Sequence, residues 1–555
     1  MIVHTIFESL AGHATEAILC CLALYTVYSV ITSYTRPRPL DIYTKEPPAV
    51  VGLPKTYTWF FPKLRSRLAS TKHAFGWVQE GYAKYHKIGK PFMVHSIDGD
   101  MIILPQDMMP ETKNLPVNVA NIRSLQSLAV RYTFDKYIES DLFHVGMIRK
   151  DLTARLAAFT PAIVEELDLA FKHYTPKIAG QPGEKGWQKV VMYDLILKIV
   201  ARTSHRVFIG EELCREEEYL DLSIKYAITI LPTAMLLNCF PKFLWPIIGP
   251  LFCIPLQLIR RKASKFLEPV ILKRIAGIRA NLPESERPND LMQWVIDASL
   301  ARGGGFATTD AIVNRVLTVA FAAIHTTSLS ATNAIYDLAY LPSQVPSDAY
   351  PRPPADILRD EVMAVFPPPH TFNRRYMQRL YNMDAFLKET ARMSLIGALH
   401  SERLVTAPAG FTTSSGLHMP HGTAFAFIGS PRVLDPEIFE RAGEHRYTRF
   451  YRGDVAGAGD EEVEEAVVSG KGATDRKLDR YMVTVTDDFP VFGMGTHACP
   501  GRFFAASELR ILISWFLLNY DVKTVAERPP SWQFIYLDIM NTTAELEIRR
   551  RDLVN

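Results

Sequence analysis

Of the six cysteines in this 555-residue chain, Cys499 is the one whose neighbours could make its sulfur reactive. The segment Phe492–Gly501 reads FGMGTHACPG and runs on into RFFAASEL, a helical pattern. Glycines at 493, 495 and 501 permit tight turns and close backbone approach. Backbone N–H groups at the start of a helix stabilise an anionic sulfur. A thiolate held in this way can ligate a haem iron, pushing electron density onto the metal and favouring O–O cleavage. On the residues alone a nucleophilic cysteine competes with that reading, and most solitary cysteines are simply buried. Cys20, Cys21, Cys214, Cys239 and Cys253 form no CxxC pair, which speaks against structural zinc, and six cysteines in this length are no disulfide scaffold. Two further groupings could do chemistry. Glu389 and Arg392, in FLKETAR, lie one helical turn apart and can pair, as many surface residues do. The run Ala322-Ala323-Ile324-His325-Thr326-Thr327 offers a hydroxyl and an imidazole able to pass protons near neutral pH. In mid-helix such a hydroxyl is more often bonded back to its own helix.

These groups need elements to hold them. Ala311–Tyr340 is one long helix candidate, apolar on most sides and so central. Residues 60–340 are mostly helical in pattern, with helical spacing in Ile163–Phe171 and Val190–Val200, and short strands are expected near Leu404–Val405, Leu417–Met419 and Ala424–Phe427. Leu341–Ile357, rich in proline, and Gly453–Lys477, with its acidic run, read as surface insertions. Hydrophobic residues at 48% supply a sizeable core. Length alone suggests about four domains, but the simplest account is mainly α with a small β portion in one large domain. A net charge of +3 leaves no electrostatic footprint for nucleic acid.

At the amino terminus, Thr15–Tyr34 is long and apolar enough to cross a bilayer, with Arg36, Arg38 and Lys45 behind it. The expected organisation is a luminal tail at 1–14, an anchor at 15–34, a Pro-containing linker at 35–55 and a cytosolic body at 56–555. The apolar stretch Ala227–Ile259 is cut by five prolines, so short helices dipping against the membrane or lining an entry for a greasy ligand are expected there, with a plain core the alternative.

FGMGTHACPG resembles the haem-binding signature of the cytochrome P450 superfamily, with Phe492, Gly495, His497, Cys499 and Gly501 at its fixed positions. The resemblance covers nearly the whole chain and is greatest for fungal microsomal, secondary-metabolism members (DLMQW, FAAIHTTS, CPGRFFA). It implies the cytochrome P450 fold, haem b with Cys499 as axial ligand of the iron, and a structural triad of Glu389, Arg392 and Arg449, the last from TRF after DPEIF. It implies propionate partners in His497, Arg149 and Arg403, with His144 standing in for a tryptophan. It implies oxygen chemistry over the long helix, with Thr326 as the hydroxyl. Two positions depart from the family pattern: the usual second glycine is Ala323 and the usual acid is His325, which puts the proton donor in question.

The implied activity is a haem-thiolate monooxygenase oxidising an apolar small molecule, terpenoid, polyketide or alkaloid-like, with O2 and electrons from an NADPH–cytochrome P450 reductase. The implied location is the endoplasmic reticulum membrane, single-pass, held in lipid by the anchor. Arg502 and Arg510 are expected as solvated charges or as a face for the reductase. Pocket candidates are Phe321, Ala322, Ile324, Ile396–Ala398, Ser124–Tyr132 and Ile535–Met540. Two rivals stand beside this reading: a reductase-independent haem-thiolate isomerase or dehydratase, and a non-catalytic membrane-bound haem protein.

Overall fold

The computed structural model describes residues 48–52, 62–96, 99–122, 129–175, 186–238, 240, 242–366, 371–451 and 481–551. The expected tail and anchor, the first part of the linker and the insertion at 453–477 lie outside the described residues. The longer helices are α1 (Pro62–Lys84), α2 (Leu156–Tyr174), α3 (Met192–Phe208), α4 (Glu217–Asn238), α5 (Trp245–Phe252), α6 (Ile254–Arg279), α7 (Leu291–Arg302), α8 (Thr309–Tyr340), α9 (Pro354–Val365), α10 (Tyr381–Met393) and α11 (Arg502–Asn519). The largest sheet has the order β1-β2-β3-β9-β6-β4, from Ala49–Val51, Phe92–Ser96, Gly99–Ile103, Ala424–Ile428, Leu399–Val405 and Ala120–Ile122.

The central helix forms as its sequence predicts. Thr308 Oγ1 accepts from Ala311 N–H at 3.3 Å and Asp310 sits in the first turn, both favourable at a helix start. No proline or glycine interrupts the following 32 residues. Helices α3, α4, α6, α7, α10 and α11 all pack on α8, which explains why it is apolar nearly all round. By length and composition α4 and α8 could each cross a membrane, yet both are packed into the body.

Four expectations are corrected here. The linker does not run to residue 55, because Ala49–Val51 pairs in parallel with β2 and so belongs to the body. The helix expected over Val190–Val200 begins at Met192, since Gln188–Val191 (β5) pairs with Glu545–Arg550 (β13). The prolines in Ala227–Ile259 cut the chain less than expected. Pro232 lies inside α4, and Pro246 and Pro255 occupy first-turn positions where the missing N–H is not needed. Leu341–Ile357 is not wholly surface: Tyr350 is buried, stacks on Tyr447 and places its hydroxyl 2.7 Å from His445 Nδ1.

Helix α11, which follows Cys499, is anchored to α3 by a buried carboxyl. Glu508 is fully buried and accepts at Oε1 from Thr203 (3.0 Å) and Ser204 (2.9 Å). Burial pushes its pKa up to about 7. An unfolded chain ionises this group near the ordinary carboxyl value, so its contribution is intact in acid and is lost as pH rises through about 7. Glu508→Gln should therefore match the parent near pH 5 and gain on it through neutrality, by roughly 1–3 kcal/mol above pH 7. Urea unfolding at several pH values checks this; a difference independent of pH would contradict it.

Candidate active site

The loop before α11 is built around left-handed glycines. Gly493 has φ +72° and Gly495 φ +62°. At Gly495 an added Cβ would sit 2.2 Å from the Lys113 carbonyl oxygen, so both the turn and a close backbone approach require glycine there. Gly501 differs from expectation. Its φ is −91° and a Cβ would meet only Ile148 at 3.7 Å, so packing within the chain does not demand glycine. The loop is tied down by Asn114, whose Oδ1 accepts from Thr496 N–H at 3.1 Å, and by Cys499 N–H donating to Phe492 O at 2.7 Å.

Cys499 thus stands at the start of α11. Burial pushes its thiol up, while the N–H of Gly501, the Arg502 charge and the N–H of Arg502 pull it down. Arg502 Nη1 also donates to Cys499 O at 2.9 Å, and Arg510 pairs with fully buried Asp384 at 2.6 Å. The expectation that these two arginines are solvated charges is corrected: each is spent on an internal partner.

Two arginines and a histidine gather at the loop. His497 belongs to it; Arg149 sits in a π-helical turn (Ile148–Leu152) and donates to Thr496 O at 3.0 Å. Arg403 comes from β6 just past a bulge, where Ser401 takes φ +52° and re-aims the strand. Burial first, then the charges of Arg403 and Arg149, keep His497 neutral to lower pH than usual. His497 Nε2 is buried with no hydrogen-bond partner, and among the described residues no carboxylate pairs with any of the three. Burial pulls Arg403 down to about 10. One sulfur at a helix start, on a loop flanked by two arginines without a carboxylate ion pair and a buried imidazole nitrogen without a partner, fits the iron and propionates of a haem. His144 does not join this group. It accepts at Nδ1 from Arg315 Nη1 (2.8 Å), and burial and that charge pull it down to about 4, so it brings no positive charge.

Behind the loop, Glu389 and Arg392 are both fully buried and paired twice, at 2.8 and 2.7 Å. Glu389 Oε1 also accepts from Arg446 N–H (3.0 Å) and Arg449 Nε (3.3 Å). Arg392 reaches on to Val433 O and Ala442 O. Lys388, also within FLKETAR, donates to Tyr481 O and lies 4.2 Å over the Phe489 ring, contacts the sequence does not advertise.

On α8, Ala322 and Thr326 lie one turn apart and form an accessible strip on a mostly buried helix. Thr326 Oγ1 donates to Ala322 O at 2.9 Å, leaving its lone pairs open. One turn further, Ser330 lines a cavity of about 20 Å³ with Leu387, Ile396, Met482 and Leu509, which places the strip toward α10 and α11. Of the pocket candidates, Ile324 is corrected. It is fully buried in the main core, about 200° around the helix from Ala322. Phe321 packs on Phe134. Segments 396–398 and 535–540 are stitched together by Ala398 N–H to Tyr536 O and Asp538 N–H to Ile396 O, with Ile535 held at φ +55°. Residues 124–128 lie outside the described residues.

Gly495→Ala should lose about 2–4 kcal/mol of stability, since both φ and backbone contact oppose a Cβ, and Gly501→Ala less than ~1 kcal/mol. Urea unfolding of the two variants tests the loop geometry; equal losses would contradict it.

Comparison with known proteins agrees with this geometry. The family model for cytochrome P450 matches residues 146–548. The chain is 30% identical over 84% of its length to the cytochrome P450 monooxygenase AN1598 of Emericella nidulans, covering 80% of that protein. It is 29% identical to the cytochrome P450 monooxygenase penP of Penicillium crustosum, over 89% of this chain and 88% of that one. To the cytochrome P450 monooxygenase paxP of Penicillium paxilli it is 28% identical, over 95% and 94%. A sulfur presented at a helix start, two arginines and a neutral histidine beside its loop and a match across most of the chain lead to one conclusion: this chain belongs to the cytochrome P450 family and is a P450 monooxygenase.

Proposed function

We propose that the chain oxidises an apolar small molecule of fungal secondary metabolism, terpenoid, polyketide or alkaloid-like, drawing electrons through an NADPH–cytochrome P450 reductase at the endoplasmic reticulum membrane. The observation that carries this reading is the pairing of Cys499 with the anion-seeking group of His497, Arg149 and Arg403. Bound through that sulfur, haem supplies the activation of O2 and the oxidation of a C–H bond. The residues divide the remaining tasks. Cys499 holds the metal, while Phe492, Gly495 and Gly501 shape its loop. His497, Arg149 and Arg403 meet the propionates. Glu389, Arg392 and Arg449 are structural and keep the chain behind the loop in place; removing one member of such a buried pair costs about 3–5 kcal/mol. Thr326, with open lone pairs on the accessible strip, orders the proton-carrying solvent. His325, where the family usually has an acid, enters proton transfer only when its ring leaves its present partner.

Entry from a membrane is supported by an exposed apolar face. Leu231 and Leu236 on α4, Phe243 before α5, Ile247 and Leu251 on α5 and Leu258 on α6 are all exposed. They fall within the stretch expected to dip toward lipid, and burying them would favour docking by ~1.5 kcal/mol or more per side chain. With an anchor at 15–34 this face would rest on the bilayer and admit an apolar substrate.

Microsomes containing the protein and the reductase, supplied with NADPH and fungal precursors, should form an oxygenated product, and Thr326→Ala should lower product formation by about 10²-fold while NADPH consumption continues. Thr326→Ser should retain most of it. Product formed without NADPH would instead establish the isomerase or dehydratase reading.

A further inference from the structure

His325 lies beside the accessible strip of α8 but does not open onto it. Its Nε2 is buried, without accessible surface and without a hydrogen-bond partner. Its Nδ1 is 3.0 Å from the hydroxyl of Tyr193, near the start of α3. On the other side the backbone carbonyl of Ile224 on α4 acts on the ring. The Tyr193 hydroxyl keeps its proton at any physiological pH, since burial pushes it up to about 12. A hydroxyl that keeps its proton beside a neutral imidazole is a ready donor, so Nδ1 accepts and the ring proton resides on Nε2. Burial holds this imidazole uncharged to lower pH than usual. Asp194, next to Tyr193, is exposed and acts on the tyrosine; among the described residues no charged side chain of α3 or α4 acts on His325 itself.

We propose that Tyr193 is a positioning residue that parks His325 in its Nε2–H form against α4, so that Thr326 draws protons from solvent and His325 exchanges protons only after the Tyr193 bond is broken. The inference rests on the monooxygenase reading for its consequence, but its geometry is read without turnover. It also explains how a histidine can occupy the place of an acid without offering a stray proton to the reaction.

The test uses the haem-loaded protein as its diamagnetic ferrous–carbon monoxide complex, with isotope-labelled histidine and the His325 signal assigned from His325→Asn. In the parent protein the signal should show the Nε2–H tautomer and no shift from about pH 5.5 to 8. In Tyr193→Phe it should show a mixture of the Nδ1–H and Nε2–H tautomers, and the coupling of NADPH to product should fall and then recover in Tyr193→Phe/His325→Asn. A titrating parent signal, an Nδ1–H tautomer in the parent, or a Tyr193→Phe signal that keeps the parent's single tautomer would overturn the proposal. Should Tyr193→Phe fail to hold haem, the tautomer and pH response of the parent decide alone. Failure of the monooxygenase reading would show as absent product with the parked histidine unchanged.

Discussion

Placing an anionic sulfur inside a protein is opposed by desolvation, and the local fold around Cys499 is arranged to offset that cost. Burial raises the thiol, and the opposing terms come from two backbone N–H groups and one guanidinium at the first turn of α11. A bound iron would complete the ionisation, because a coordinated thiol gives up its proton outright. The helix start must therefore be held still, which is why the preceding loop uses left-handed glycines and a side-chain amide from Asn114 rather than regular structure. The same segment presents His497 toward Arg403 and Arg149, so one short loop sets both the sulfur and the positive field beside it.

That loop rests on a core that holds several buried charges. Glu389 and Arg392 satisfy each other and then the carbonyls of Val433 and Ala442, while Lys388 is capped by a carbonyl and an aromatic face. Arg315 is buried with carbonyls of Asp141 and Tyr137 as acceptors and the Phe143 ring 3.9 Å beneath it. Such groups add little net stability over apolar replacements but are costly to break singly, so they fix one arrangement of the chain. Here they join segments distant in sequence: α8 to 137–144, and α10 to 433–449. Helix α8 is the common wall, with its accessible strip of Ala322 and Thr326 on one side and the parked His325 on another.

The sequence carried what short-range spacing can carry. The one-turn Glu389–Arg392 pair, the long central helix and the strand at Ala424–Phe427 all depend on residues within one element, and each is found as expected. Even Ile324 could have been placed on the buried face by counting 100° per residue from Ala322. What spacing does not carry is the partner across the fold. Asn114, Asp384, Arg315 and Tyr193 give Thr496, Arg510, His144 and His325 their roles, and each comes from an element more than a hundred residues away. Arg510 looks like a surface charge in the sequence for that reason. Tyr350 was hidden among prolines that suggested only a loop, although its ring fills a slot against Tyr447.

The central claim is a metal bonded to the sulfur of residue 499. Reducing the purified, haem-supplied protein under carbon monoxide and recording its absorption spectrum tests this most directly. The account predicts the red-shifted Soret band of a thiolate-ligated complex, lost in Cys499→Ala. A spectrum typical of a nitrogen-ligated or unligated haem in the parent protein, or one unchanged by that substitution, would contradict it.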